Sequence, residues 1–229
     1  MIFFKKLVKL NFGLTIFSLA IVLTIHSQLG ASPWDVFHLG LTNYSSLSLG
    51  QISQVVGIVI ILIATFLGEI PGIGTVLNMY VIGVLIDVWR DYHIIPLAST
   101  PWQQYFMLFF GIYLYGWGTY FYLQAGLGSG PRDGLMLGLL KITKQPVWKI
   151  RALLETSALI LGYFMGGLVG IGTVCSAFLI GFAIQHVYSI MKVDPTQTEH
   201  ANLKTYYEMW KKAKVKDAVE NTEKVKETS

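Results

Sequence analysis

Residues 29–41, Leu-Gly-Ala-Ser-Pro-Trp-Asp-Val-Phe-His-Leu-Gly-Leu, have a second copy at residues 127–139, Leu-Gly-Ser-Gly-Pro-Arg-Asp-Gly-Leu-Met-Leu-Gly-Leu. The copies lie 98 residues apart, and with that offset kept without a gap, 21 of the 78 positions in 10–87 match those in 108–185. An apolar composition produces scattered Leu and Ile matches, but it does not bring prolines, aspartates and glycines into register. We therefore interpret the chain as an internal duplication.

The composition is typical of a membrane protein. Of the 229 residues, 53% are hydrophobic and 13% charged, and the mean hydropathy is +0.55, too apolar for a soluble domain of this size. Residues 192–229 hold 8 of the 17 basic and 7 of the 13 acidic residues, so the net charge of +4 reflects a polar tail and loop lysines rather than a nucleic-acid surface. The single cysteine, Cys175, excludes an internal disulfide and a cysteine metal cluster.

Apolar stretches of about 20 residues, the length that crosses a bilayer, recur six times. The expected fold is therefore an all-α membrane protein with six transmembrane helices, three per repeat. The first repeat occupies 1–95, the second 96–191, and a polar tail follows at 192–229. The predicted spans lie near 7–27, 51–68, 73–90, 102–125, 148–166 and 171–191.

Loop charges predict the orientation of these spans. Lys5, Lys6 and Lys9 place the N-terminus in the cytoplasm, the loop 28–50 has no Lys or Arg, and the loop 126–151 has five. Because each repeat has an odd number of spans, the second repeat enters the membrane from the opposite face. The sequence thus predicts inverted-topology repeats, with both termini cytoplasmic.

Pro33 and Pro131 each mark the start of a short helix, with Ser32 or Gly130 in the N-cap position. The first of these Pro-x-Asp helices can extend to about Tyr44, which is roughly 18 Å, or about half of a bilayer core of roughly 30 Å. It is too short and polar to span. It either re-enters the membrane as a half-helix or lies at the interface with its tryptophan as an anchor.

Five polar residues of the repeats are candidates for a solute site. Asp35 and Asp133 either form a polar site at two opposed helix starts or only cap their helices. Asn78 and Ser176 occupy equivalent positions, where they either line a pathway or bond a neighbouring helix. Arg132 is either an anion contact or a cytoplasmic charge that fixes topology.

Arg151 and Glu155 form the remaining candidate pair. A charged residue within a span is a functional candidate, but the i, i+4 spacing also suits a structural ion pair, so both interpretations stay open. The chain has no His-Glu-x-x-His, no Gly-x-Ser-x-Gly and no phosphate-binding glycine loop with lysine. We therefore expect no enzyme activity, no cofactor and no metal site.

The polar tail contains one patterned segment. Apolar residues at helical spacing alternate with lysines near 203–216, which predicts an amphipathic basic helix on the anionic inner leaflet. Residues 217–229 lack apolar periodicity and are expected to be a solvated, disordered end.

Several motifs resemble those of the YczE/YyaS/YitT group of bacterial integral membrane proteins. They are Gly-x-Ser-Pro-Trp-Asp-Val at 30–36, Gly-x-Gly-Pro-Arg-Asp at 128–133, Arg-x-x-x-Glu at 151–155 and Gly-Gly-x-x-Gly-x-Gly-Thr at 166–173. The match extends from residue 10 to about 190. The resemblance implies a multi-pass protein of the bacterial cytoplasmic membrane and brings no defined activity with it.

Two functions fit these observations. The first is a secondary transporter or channel-like protein for a small polar solute or ion. The second is a non-transporting membrane subunit that binds a partner, or a second copy of itself, through its spans or its tail. A polar, water-accessible path through the candidate residues favours the first, and a dry, closed interior favours the second.

Overall fold

The computed structural model describes residues 2–194 and 202–203, which form α-helices joined by loops. That part contains eight α-helices and no strand. The helices are α1 Ile2–His26, α2 Pro33–Thr42, α3 Leu49–Phe66, α4 Ile73–Asp91, α5 Pro101–Leu123, α6 Pro131–Thr143, α7 Val147–Phe164 and α8 Ile171–Ile190.

The six long helices coincide with the six predicted spans to within a few residues, and α2 and α6 are the two Pro-x-Asp helices. By length and composition, α1, α3, α4 and α8 can each cross a membrane. In α5, glutamines and tyrosines lower the hydropathy, and in α7 three charged residues do so. Large apolar side chains are exposed on outer surfaces, among them Phe66, Phe164 and Phe178, as expected of a protein in contact with lipid.

Short-range sequence signals explain where the short helices begin. Ser32 is the N-cap of α2, and its hydroxyl accepts a hydrogen bond from the backbone N–H of Asp35. Pro33 follows at the first helical position, where its fixed φ suits a helix and no N–H is lost. In α6, Gly130 takes the N-cap position and supplies no side-chain cap, so the two equivalent helices start with different chemistry.

The duplication is visible in the arrangement of the helices. Residues 49–66 of α3, moved by the 98-residue offset, coincide with 147–164 of α7. The equivalent helices α1 and α5 pack against each other at the centre of the bundle. Gly13 lies against Tyr122, and Gly111 lies against Thr24, so the two helices run antiparallel.

The repeats are also joined by two equivalent backbone contacts. The N–H of Gly172, at the start of α8, donates to the carbonyl of Leu29 at 2.7 Å, and the N–H of Gly74, at the start of α4, donates to that of Leu127 at 2.7 Å. Gly30 adopts a φ of +118°, and a Cβ there would lie 2.6 Å from the Thr173 hydroxyl oxygen. Glycine is required here by both its conformation and the close approach.

One pair of neighbouring helices breaks the equivalence of the repeats. In the first repeat α3 and α4 pack along each other, whereas their counterparts α7 and α8 do not. The space left beside α7 and α8 forms part of a central cavity.

The predicted basic helix near 203–216 lies outside the described residues, apart from Leu203. The backbone N–H of Leu203 donates to the carbonyl of Pro71, in the loop between α3 and α4, at 3.0 Å. The predicted disordered end at 217–229 also lies outside the described part.

Candidate functional site

A cavity of about 380 Å³ lies where the two repeats meet. Its wall includes the first residues of both α2 and α6, together with side chains from α1, α3, α4, α5, α7 and α8. Six of the seven candidate residues line it, namely Asn78, Arg132, Asp133, Arg151, Glu155 and Ser176. The structure thus brings residues that are up to 98 positions apart in the chain into one site.

Asp35, the seventh candidate, lies just behind the wall and is 2% exposed. Its Oδ2 atom accepts hydrogen bonds from the hydroxyls of Ser32 at 2.5 Å and Tyr115 at 2.7 Å. Its Oδ1 atom faces His38 Nδ1 at 3.8 Å and Arg132 Nη2 at 3.9 Å. Helix capping alone therefore does not describe Asp35, because it connects α2 to α5 and to the start of α6.

Asp133 has fewer partners, although it occupies the equivalent position in the second repeat. The Tyr122 hydroxyl donates to its Oδ2 at 3.2 Å, and Gly130 offers no hydroxyl where Ser32 stands in the first repeat. The side chain of Asp133 is half-buried and faces the cavity. Of the two aspartates, Asp133 is therefore the one that borders the cavity.

Arg132 joins the two copies of the Pro-x-Asp motif. Its guanidinium carbon lies 4.8 Å from the ring centre of Trp34, the residue at the equivalent position, and its side chain is 34% exposed. Such a contact between a cation and an indole face is favourable. Trp34 is 8% exposed and lies inside the bundle, so it does not serve as an interfacial anchor, and both Pro-x-Asp helices begin at the cavity.

Asn78 and Ser176 face the cavity from equivalent positions on α4 and α8. Ser176 is 1% exposed, and within the described part of the chain its hydroxyl is the buried side-chain group that lacks a hydrogen-bond partner. Leaving a buried hydroxyl unpaired costs about 1–3 kcal/mol. A ligand in the cavity is one way to satisfy it.

Arg151 and Glu155 lie on the same wall, contributed by α7. No ion pair joins them among the described residues, in spite of their i, i+4 spacing. Arg151 is exposed and Glu155 is half-buried. The two side chains are therefore not in direct ion-pair contact, although the charge of Arg151 acts on Glu155, and both residues line the cavity.

Sequence reasoning missed three residues of the site: His38, Tyr115 and Tyr122. The hydroxyls of the two tyrosines are hydrogen-bonded to the two motif aspartates. No local signal singled them out, because α5 contains five tyrosines and only the packing of the helices decides which of them reach the aspartates. The described residues contain no group of three or more His, Cys, Asp or Glu side chains that could hold a metal ion.

Comparison with known proteins gives a family but no activity. Residues 4–189 match a family of unknown function, DUF6198. The chain is 38% identical to the uncharacterized membrane protein YczE of Bacillus subtilis over 76% of this chain and 80% of that protein. It is 34% identical to an uncharacterized protein of Haemophilus influenzae over 82% of this chain and 85% of that protein.

A second Bacillus subtilis protein, the uncharacterized YyaS, is 29% identical over 77% of this chain and 88% of its own length. No solved structure matches the chain. The chain belongs to the DUF6198 family, which confirms the predicted resemblance to the YczE and YyaS proteins. Together with its apolar helices, these relatives identify it as a membrane protein.

Proposed function

We propose that the protein is a secondary transporter, or a channel-like protein, that moves a small polar solute or ion through the central cavity without an enzymatic step. The observation that carries this proposal is the convergence of two equivalent helix starts and two equivalent polar residues, Asn78 and Ser176, on one cavity. Solute sites at the interface of structural repeats, beside the ends of short helices, recur in secondary transporters.

The proposal includes six membrane spans arranged as two inverted repeats. The antiparallel packing of α1 against α5 supports it, because equivalent helices that run in opposite directions are what an inversion requires. The lower hydropathy of α5 and α7 agrees with their position, since Tyr115 and Glu155 face the interior of the bundle rather than its surface.

The proposed orientation places both termini in the cytoplasm. Two contacts between loops support a consistent sidedness. Lys141 and Glu69, both on the proposed cytoplasmic side, form an ion pair at 2.5 Å. The side-chain amide of Asn43 donates to the carbonyl of Met165 at 2.9 Å, and both of these residues are on the proposed external side.

Cysteine labelling tests whether the cavity carries water. In a Cys175→Ala background, Met136→Cys places a thiol on the α6 wall of the cavity. We expect the cationic, membrane-impermeant reagent MTSET to modify this thiol in membranes. Phe178→Cys is the matched control, because this exposed position on α8 lies outside the cavity lining and is expected to face lipid.

An accessible cavity thiol beside an unreactive control supports the transport proposal. A Met136→Cys protein that is made at normal levels but stays unmodified from both faces would contradict it. The interior would then be dry, and a non-transporting subunit that binds a partner would be the better account.

A further inference from the structure

The charged groups around the cavity are unequally compensated. Arg132 has a counter-ion in Asp35, at 3.9 Å, and an aromatic partner in Trp34. Glu155 has no ion pair or hydrogen bond among the described residues, and Asp133 has one hydrogen bond, from Tyr122. Neither carboxylate that faces the cavity therefore forms an ion pair within the described residues, although the charges of Arg132 and of the exposed Arg151 act on Glu155 from a greater distance.

The unpaired hydroxyl of Ser176 is a second, independent indication of a ligand. It is a buried oxygen on the cavity wall with no partner in the described part of the chain. A hydroxyl oxygen can accept a hydrogen bond from an N–H group of a ligand. A carboxylate accepts a stronger hydrogen bond when the N–H group belongs to a cation.

The rest of the wall suits an organic group. Aliphatic side chains line much of it, among them Ile60, Ile82, Leu154 and Ile180. The aromatic rings of Tyr115 and Tyr122 also line it, and aromatic faces attract cations. A bare metal ion fits less well, because the described residues lack a group of three or more carboxylate, imidazole or thiolate ligands.

We propose that the cavity binds a small organic cation of the alkylammonium class, with Asp133 and Glu155 as its counter-charges and Ser176 as a hydrogen-bond acceptor. This inference rests on the proposed function, since it names the class of solute that would occupy the same cavity. An anionic solute is disfavoured, because three carboxylates, those of Asp35, Asp133 and Glu155, lie at or just behind the wall against two guanidinium groups.

Thermal denaturation of the full chain in detergent tests the inference with three probes of similar size: n-butylammonium, butyrate and 1-butanol, at matched ionic strength. A ligand that binds only the folded protein raises the melting temperature as its concentration rises. We expect n-butylammonium to raise it saturably and the other two to leave it unchanged. A shift with butyrate or butanol as large as that with n-butylammonium overturns the proposal.

Substitutions of the two carboxylates test whether n-butylammonium binds in the cavity. Glu155→Gln and Asp133→Asn should each raise the half-saturating concentration of n-butylammonium at least about tenfold, because a charged hydrogen bond to the ligand is lost. Asp91→Asn is the matched control: it removes an exposed carboxylate outside the cavity and should change nothing. Unchanged binding in the Glu155 and Asp133 variants overturns the assignment.

A labelling experiment that leaves Asp133 and Glu155 in place covers the case in which a variant of either residue does not fold. At Met136→Cys, cationic MTSET should react at least about tenfold faster than anionic MTSES, after each rate is divided by that with a free thiol in solution. Equal rates contradict a cation site and leave the water-filled cavity standing. Absence of reaction with both reagents contradicts the proposed function itself, so the two failures are distinguishable.

Discussion

The two repeats place equivalent helices in the same order, yet the first repeat is closed where the second is open. Between α3 and α4, Gly83 is buried against Gly50 and Gln54, and the carboxylate of Asp87 accepts hydrogen bonds from the Ser48 hydroxyl at 2.5 Å and the Gly50 N–H at 2.8 Å. These contacts fasten the N-terminal half of α3 to the C-terminal half of α4.

The counterparts of these residues in α7 and α8 make no such contact. Gly181, equivalent to Gly83, is exposed, and a Cβ there would meet no atom within 4 Å. Trp148 stands where the first repeat has Gly50, and Gln185 stands where it has Asp87. Glu155 replaces Gly57, which is buried against Met79 in the closed pair. The two equivalent helix pairs therefore differ in their packing, and the side chains at these equivalent positions differ with it.

This difference has a direct meaning in the proposed inverted arrangement. The α3–α4 gap and the α7–α8 gap would then face opposite sides of the membrane, and the cavity would be shut toward the outside and open toward the cytoplasm. If α3 and α4 separated while α7 and α8 closed, a solute in the cavity would be carried across the membrane.

The largest expected effect separates the two motif aspartates. Asp35→Asn disturbs a buried carboxylate with two hydrogen bonds and an arginine partner, and we expect it to cost about 2–4 kcal/mol of stability. Asp133→Asn, at the half-buried equivalent, should cost less than about 1 kcal/mol. Melting temperatures of the two variants check this difference. Equal losses would contradict the unequal roles of the two residues.

Next in size is the effect of a methyl group in each gap. In Gly83→Ala, the new Cβ would lie 2.6 Å from the carbonyl oxygen of Gly50 and 2.5 Å from Gln54 Cγ. Overpacking of this kind costs about 1–3 kcal/mol. Gly181→Ala enters open space and gains helix propensity, so we expect it to be neutral or up to about 1 kcal/mol more stable. Thermal unfolding that ranks Gly181→Ala as the worse variant would reject the closed-versus-open comparison.

A smaller effect is expected from the polar contacts of the closed pair. Asp87→Asn keeps the shape but loses the charge that strengthens the hydrogen bonds from Ser48 and Gly50, which should cost about 1–2 kcal/mol. It should also raise the labelling of Ser53→Cys, a cavity position on α3, from outside the cell. Gln185→Ala is the control in the open pair, and it should change neither the stability nor the labelling of Ser53→Cys.

The last prediction assigns the two gaps to the two sides and involves no stability change. A cysteine at Ser46, in the loop between α2 and α3, should react with an impermeant reagent added outside, and one at Thr143, at the end of α6, should not. Reaction at both sites from one side would contradict the inverted arrangement, although the difference in packing between the two helix pairs would still hold.

The sequence predicted the elements better than their contacts. Apolar length located the six long helices, and Ser32 and Pro33 located the start of α2, because these signals act within a few residues. The hydrogen bond from Tyr115 to Asp35 joins residues 80 positions apart, and no local pattern specifies it. Arg151 and Glu155 have a spacing that permits an ion pair, but spacing does not fix the side-chain positions on a helix that borders a cavity.

The asymmetry between α3–α4 and α7–α8 was also beyond sequence reasoning. Gly83 and Gly181 are the same residue at equivalent positions, and both are consistent with close helix packing. Gly83 meets Gly50 and Gln54 across the closed pair, whereas a Cβ at Gly181 would meet nothing within 4 Å, and only the packing of whole helices decides this difference.

A disulfide across the open pair tests most directly whether the two gaps exchange. Trp148→Cys and Gln185→Cys, introduced into a Cys175→Ala background, stand at the positions of Gly50 and Asp87, which are in contact in the closed pair. The quantity measured is the rate at which n-butylammonium exchanges across the membrane of proteoliposomes, before and after oxidation. We predict that oxidation forms the cross-link and stops the exchange of n-butylammonium. Reduction of the disulfide should restore the exchange. Efficient cross-linking with unchanged exchange, or exchange in a protein that never cross-links, would contradict the account.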